Sequence, residues 1–122
     1  MKAAIIVNTG DRVEPIAEGL SRKGFRWTVE HDPQAVLGSS RTDPLDLVIV
    51  FDRLDSMTGR RFLSQLVGIS WTTAAVLIMD EDEEKVHEMT EGLGILGSIR
   101  NVDDTDGLLK LLDKFLSMKQ PV

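Results

Sequence analysis

Short apolar runs of strand length alternate with stretches of helical period along this chain, and this alternation constrains the fold more than any other feature. The runs at 3–7, 47–51 and 74–79 are apolar throughout, which is typical of strands covered on both faces of a sheet. The run at 25–30 alternates apolar and polar side chains, which favours a core position for Trp27 on an edge strand, and the run at 95–99 contains a glycine and a serine. We therefore expect three strands inside the sheet and two at its periphery.

Between these runs, apolar residues recur at helical spacing. This periodicity predicts four amphipathic helices, and a fifth, short helix fits the segment 33–38; the four apolar stripes lie at 13–20, 62–67, 86–93 and 108–115. Strand and helix thus alternate five times, which predicts one α/β domain over residues 1–122. We expect a three-layer, doubly wound (βα)5 domain whose parallel sheet has the flavodoxin-like order 2-1-3-4-5.

Charge and cysteine content exclude several classes of function. Twenty acidic residues against 14 basic ones give a net charge of −6, which argues against nucleic acid or an anionic membrane as the main partner. The chain has no cysteine, which excludes disulfides, thiolate metal sites and a cysteine nucleophile. No apolar stretch reaches the roughly 18 residues of a membrane span. We expect a soluble cytoplasmic protein.

One segment carries a specific resemblance. Residues 46–59, DLVIVFDRLDSMTG, resemble the third strand and following loop of a bacterial response-regulator receiver domain (CheY-like). In that family an aspartate begins the strand, the phosphoacceptor aspartate follows five residues later, and a glycine lies eight residues beyond the acceptor. Asp46 and Gly59 match the two outer positions, and they place Phe51 at the acceptor position.

Other positions of the receiver pocket also depart from the family pattern. The acidic pair that holds a divalent metal corresponds to Asn8 and Thr9, and the hydroxyl residue after the fourth strand corresponds to Met79 or Asp80. The lysine after the fifth strand corresponds to Asn101, and the proline that follows it is also replaced. The resemblance therefore implies a pseudo-receiver, which is a receiver fold without the phosphorylation cycle and with no catalytic residue, metal or cofactor.

The chemistry of phosphoryl transfer explains why these changes matter. Aspartyl phosphorylation needs a carboxylate nucleophile, and it needs a metal and a lysine to offset the charge of the transferring group. The side chain of Phe51 has no lone pair with which to attack. We expect Phe51 to fill the vacated pocket, and we expect the peptide between Asn101 and Val102 to be trans.

Two alternative functions remain open from the sequence. One is an atypical two-component response regulator that a histidine kinase phosphorylates at Asp52. Adjacent strand side chains point to opposite sides, so we expect Asp52 to point away from the pocket as a solvated loop acid. The other is a flavodoxin-like binder of FMN or a nucleotide, which would use the turn at Thr9 and Gly10.

The resemblance also implies how such a module acts. Receivers contact partners and dimer mates through the surface formed by the fourth helix, the fifth strand and the fifth helix. We expect this surface to bind a signalling protein or, in a weak homodimer, a second copy of the chain. The candidate partner-binding residues are Val86, Glu88, Arg100, Val102, Lys110 and Lys114.

Overall fold

Strands and helices alternate from the first element to the last in the computed structural model, which describes residues 1–119. The strands are β1 (Lys2–Ile6), β2 (Arg26–Glu30), β3 (Leu47–Phe51), β4 (Ala74–Ile78) and β5 (Gly97–Ile99). The helices are α1 (Glu14–Arg22), α2 (Pro33–Ser40), α3 (Gly59–Ile69), α4 (Glu83–Met89) and α5 (Thr105–Lys119). Residues 120–122 of the predicted domain lie outside the described residues.

The five strands form one parallel sheet in the order β2-β1-β3-β4-β5. The register pairs Ile5 with Ile49 and Phe51 with Ile78, so β1, β3 and β4 end close to one another at the same edge. The predicted fold class and strand order are confirmed, and so is the peripheral position of β2 and β5. Ligands of doubly wound sheets bind at this carboxyl edge, beside the strand where the order reverses.

Side chains alternate between the two faces of the sheet and form two apolar layers. On one face, Ile5 and Ile49 pack with α1 and α5, and on the other face, Ile6 and Val50 pack with α2, α3 and α4. Both layers are closed to water, because the side chains of β1, β3 and β4 are almost all buried. No helix within residues 1–119 is long and apolar enough to cross a membrane.

The structure corrects the sequence analysis at two apolar residues. The alternating pattern of β2 favoured a core position for Trp27, but its side chain lies on the edge strand with 37% of its surface exposed. Its indole Nε1 donates a hydrogen bond to the hydroxyl of Ser21 at 2.8 Å. Val86 was expected on the partner-binding surface, but it is 3% exposed and packs in the core from the inward face of α4. Its side chain therefore offers no area to a partner.

Candidate functional site

A cavity of about 390 Å³ opens at the carboxyl edge of the sheet, where β3, β4 and β5 end. Apolar side chains and charged side chains both line it. Its lining residues are Arg12, Phe51, Asp52, Arg53, Ile78, Met79, Asp80, Glu81, Arg100, Asn101 and Val102. Four of the six residues predicted for the degenerate pocket, namely Phe51, Met79, Asp80 and Asn101, are thus brought together, whereas Asn8 and Thr9 are not among the lining residues.

Phe51 and Asp52 leave the end of β3 in opposite directions. The Phe51 ring is half-buried and packs against the apolar layer shared with α1 and α5, while Asp52 faces α3. The two side chains therefore contact different layers, as the alternation predicts, but Asp52 is also among the residues that line the cavity, which the sequence did not predict. The prediction that Phe51 fills the pocket is wrong, because its ring forms one wall of a cavity that stays open.

The surroundings of Asp52 also differ from the prediction of a solvated loop acid. Asp52 is 7% exposed, and both oxygens of its carboxylate are bound by Arg60. Arg60 Nε lies 2.9 Å from Oδ1, Arg60 Nη2 lies 3.3 Å from Oδ2, and the Arg60 backbone N–H also donates to Oδ1. A forked guanidinium contact of this kind fixes a carboxylate more firmly than a single ammonium does.

Gly59 explains why Arg60 can reach this position. The Gly59 N–H donates to the backbone oxygen of Asp52 at 2.8 Å, which brings the first turn of α3 against the end of β3. A Cβ on Gly59 would lie 2.6 Å from the carbonyl oxygen of Phe51 and 2.9 Å from the Cα of Asp52. Only glycine allows so close an approach. Thr58 caps the helix by accepting from the Arg61 N–H at 3.1 Å.

Asn8 holds the loop that follows β3. Its Nδ2 donates to the backbone oxygen of Arg53 at 2.7 Å, and its Oδ1 accepts from the backbone N–H of Asp55 at 2.8 Å. An aspartate at this position could not make the first of these bonds, because a carboxylate does not donate. The Asn8 side chain is therefore committed to a structural link between two loops, and Thr9 beside it is exposed.

Two exposed ion pairs connect the loops on the far side of the cavity. Arg100 Nη2 lies 3.2 Å from Asp80 Oδ1, and Arg12 Nη2 lies 2.7 Å from Asp103 Oδ1. The hydrogen bond to Asp103, together with the negative charge of that carboxylate, raises the pKa of Arg12 above its usual value. Neither Arg12 nor Asp103 was singled out from the sequence, since ninety-one positions separate them.

The end of β5 matches one prediction made for it. Residues 1–119 contain no cis peptide bond, so the Asn101–Val102 peptide is trans, as predicted. The Asn101 side chain accepts a hydrogen bond from the backbone N–H of Asp103 at 2.9 Å, which turns the chain toward α5. Within residues 1–119, no three His, Asp or Glu side chains cluster as a metal site would require.

The comparisons with known proteins rest on structure alone. No protein-family model and no curated protein sequence matches the chain. A two-component response regulator from Clostridium difficile superposes with a TM-score of 0.81 at 16% identity, over 98% of this chain and 99% of that one. This chain has the receiver fold.

Two further solved receiver structures agree. The chemotaxis response regulator CheY4 of Vibrio cholerae has a TM-score of 0.78 at 16% identity, and 93% of this chain and 97% of that chain are covered. A BeF3-activated DrrB receiver domain has a TM-score of 0.78 at 15% identity, with coverage of 95% and 97%. At these identities the likeness shows the receiver fold and no more.

The remaining candidate residues lie around α4, β5 and α5 of the receiver fold. Glu88, Arg100, Lys110 and Lys114 are exposed, and Val102 is half-buried against the layer shared with α1 and α5. A groove of about 760 Å³ runs between α4 and α5 over the edge strand β5, and Arg100, Lys110 and Lys114 line it. Lys114 Nζ donates to the backbone oxygen of Leu96 at 3.3 Å.

Proposed function

We propose that this chain is a receiver-like signalling module that acts through protein–protein contacts and does not depend on aspartyl phosphorylation. The observation that carries the proposal is the pair of residues at the end of β3. Phe51 stands at the cavity without a nucleophilic atom, and the adjacent carboxylate of Asp52 is 7% exposed and held by Arg60. The carboxylate that phosphoryl transfer needs is thus missing on one side of the strand and occupied on the other.

The residues around this pair support the same proposal. A metal cage for phosphoryl transfer is built from carboxylate oxygens, and the loop after β1 instead carries an amide, Asn8, whose two polar atoms are both bonded to the loop after β3. Arg100 does not replace the missing lysine, because its guanidinium is paired with Asp80 at the rim. This chain would therefore lack the nucleophile, the metal ligands and the cation that follows the fifth strand in receivers.

Phosphorylation of Asp52 is the alternative to this proposal. It would require Arg60 to leave the carboxylate, which would strip a buried charge of its partner, and a small phosphodonor would then have to reach a side chain that is almost closed to water. A flavin or nucleotide at the β1–α1 turn is less favoured still. There the backbone N–H of Asn8 already donates to the Asp11 carboxylate at 3.1 Å, which places a negative charge where a phosphate would bind.

The partner would bind the surface formed by α4, β5 and α5. Its exposed residues Arg100, Lys110 and Lys114 line the groove over an edge strand, and Glu88 is exposed on α4. Such an edge presents unpaired backbone groups to another chain. The occupant would be a signalling protein or, in a weak homodimer, a second copy. The module would act in the cytoplasm, without a cofactor and without enzymatic activity.

Beryllium fluoride with magnesium tests the proposed loss of the acceptor. The compound mimics a phosphoryl group on an aspartate, and the DrrB receiver domain, solved in its BeF3-activated form, is the positive control. Amide NMR spectra of this chain should stay unchanged at residues 51–53 and 79–81 when both are added. Saturable shifts at these residues would contradict the proposal.

A charge reversal tests the proposed surface. The double variant Lys110→Glu, Lys114→Glu should bind the partner more weakly. If the partner is a second copy, it should self-associate less in sedimentation velocity. Arg22→Glu, on the exposed face of α1, is the matched control and should behave as the unmodified chain does. Equal losses in the two variants would indicate a general effect of charge and contradict the assignment of the surface.

A further inference from the structure

We propose that the cavity at the carboxyl edge binds a small organic monoanion, such as an aryl carboxylate. The apolar body of the ligand would pack on Phe51, Met79 and Val102, and its charged group would pair with Arg53. The cavity volume of about 390 Å³ falls within the about 300–1,000 Å³ common for small-molecule sites.

The walls of the cavity supply the apolar half of this site. Phe51 ends β3, Ile78 ends β4, Met79 follows it, and Val102 comes from the loop after β5. Phe51, Met79 and Val102 are half-buried, so each leaves apolar surface in contact with water. A ring or short chain placed there would remove that surface from water, which favours binding.

The acidic side chains of the cavity are each neutralised by a neighbour. Asp52 is paired with Arg60, Asp80 with Arg100, and Glu81 lies 3.5 Å from the ammonium of Lys85. Arg60 and Lys85 are outside the lining, so they offset acids of the cavity without adding donors to it. The carboxylates therefore do not exclude a single negative charge from the cavity.

Arg53 is the cation left over. Among the lining arginines, Arg12 is paired with Asp103 and Arg100 with Asp80, whereas Arg53 has no carboxylate within 4.0 Å in residues 1–119. Its backbone is held in place, because its carbonyl accepts from Asn8 and it forms a β-bridge with Thr58. A guanidinium on an anchored loop loses less freedom on binding an anion than one on a mobile loop does.

The charged side chains of the cavity also determine which class of ligand it can bind. A monoanion suits one unpaired guanidinium, whereas a phosphate dianion would also face the carboxylates of Asp80 and Glu81 at the rim. The planar fork of arginine binds a carboxylate through two parallel hydrogen bonds. We therefore assign the site to an aryl or short-chain carboxylate and not to a nucleotide.

Three matched probes test the site by amide NMR titration of the full chain. 1-Naphthoate has the ring and the charge, 1-naphthylmethylammonium has the ring with the opposite charge, and acetate has the charge without the ring. Only 1-naphthoate should give saturable shifts at residues 51–53, 78–81 and 100–102. Equal binding of the ring compounds, shifts elsewhere, or no saturable shift from 1-naphthoate at millimolar concentration would overturn the proposal.

Two arginine variants locate the anion. Arg53→Ala should weaken 1-naphthoate binding about tenfold, which is the effect expected of one charged hydrogen-bonded contact. Arg61→Ala, an exposed arginine of α3 outside the cavity, should leave it unchanged. Well-dispersed amide spectra of both variants serve as the control that each remains folded. An unchanged affinity in Arg53→Ala, or an equal loss in both, would contradict the role of Arg53.

Discussion

The two halves of the carboxyl edge have opposite characters. Where β1 and β3 end, polar side chains are bonded within the protein: Asn8 joins two loops and the buried Asp52 holds Arg60. Where β4 and β5 end, the ion pair of Asp80 and Arg100 is exposed and the cavity opens beside it. We call these the closed half and the open half.

The two halves differ in what their polar side chains contribute to stability. In the closed half, the buried carboxylate of Asp52 needs an internal partner and Asn8 links two loops, so these side chains contribute to stability. In the open half, polar groups remain in water and contribute little to stability. Substitutions should therefore be costly in the closed half and nearly neutral in the open half, which the following predictions test.

The largest effect is expected at Gly59. Gly59→Ala places a methyl group against the backbone of β3, where no flexible side chain can give way, and it should lower the free energy of unfolding by about 3 kcal/mol. Gly68→Ala is the control in the same helix, because a Cβ there meets nothing within 4 Å. Chemical denaturation measures both. Similar stabilities for the two variants would break the account of the closed half.

The next effect is expected at Arg60. Arg60→Ala leaves the Asp52 carboxylate buried without its charged partner and should lower the free energy of unfolding by about 2 kcal/mol at neutral pH. Arg61→Ala removes an exposed arginine from the same turn and should change the stability by less than about 0.5 kcal/mol. If urea denaturation gives the two variants equal midpoints, the ion pair has no structural role.

Phe51 lies at the boundary between the halves and should give an intermediate effect. Phe51→Asp places a carboxylate at the end of β3 but removes a half-buried ring from the apolar layer, and the expected loss in the free energy of unfolding is about 1–2 kcal/mol. Thermal unfolding followed by circular dichroism measures it. A variant more stable than the unmodified chain would show that the ring does not contribute to packing.

The smallest effect is expected at the exposed pair of the open half. Asp80→Asn removes one charge from a pair in which both side chains are more than half exposed, and the stability should change by about 0.5 kcal/mol or less. Added salt should reduce the difference further, because ions in solution screen exposed charge pairs. A loss comparable with that of Arg60→Ala would erase the contrast between the halves.

The fold could be predicted from the sequence because its determinants are local. Continuous apolar runs identified β1, β3 and β4 as interior strands. Their alternation with helical stripes predicted a parallel sheet with helices between the strands. The predicted strand ends were less accurate at the carboxyl edge of the sheet, because apolar residues continue past the last residue that pairs with a neighbouring strand. Met79, for example, follows β4 but was included in its run.

The candidate site could be predicted only in part, because its contacts join distant loops. The spacing of Asp46 and Gly59 placed Phe51 at the end of the third strand, where the structure has it, yet it gave no sign that Arg60 would turn back onto Asp52 across the loop. Arg60 stands directly after the glycine of the motif, and the chain reversal before α3 brings it there. The sequence did not predict the burial of Val86. The helix α4 is short, and Val86 is the buried residue on its inward face.

Intact mass after incubation with acetyl phosphate and magnesium tests the central claim most directly. We expect no gain in mass, for the unmodified chain and for Asp52→Asn alike, because Phe51 offers no carboxylate and Asp52 is buried and held by Arg60. A stable gain of one phosphoryl group that disappears in Asp52→Asn would contradict the account, since it would show that Arg60 releases Asp52 for phosphorylation.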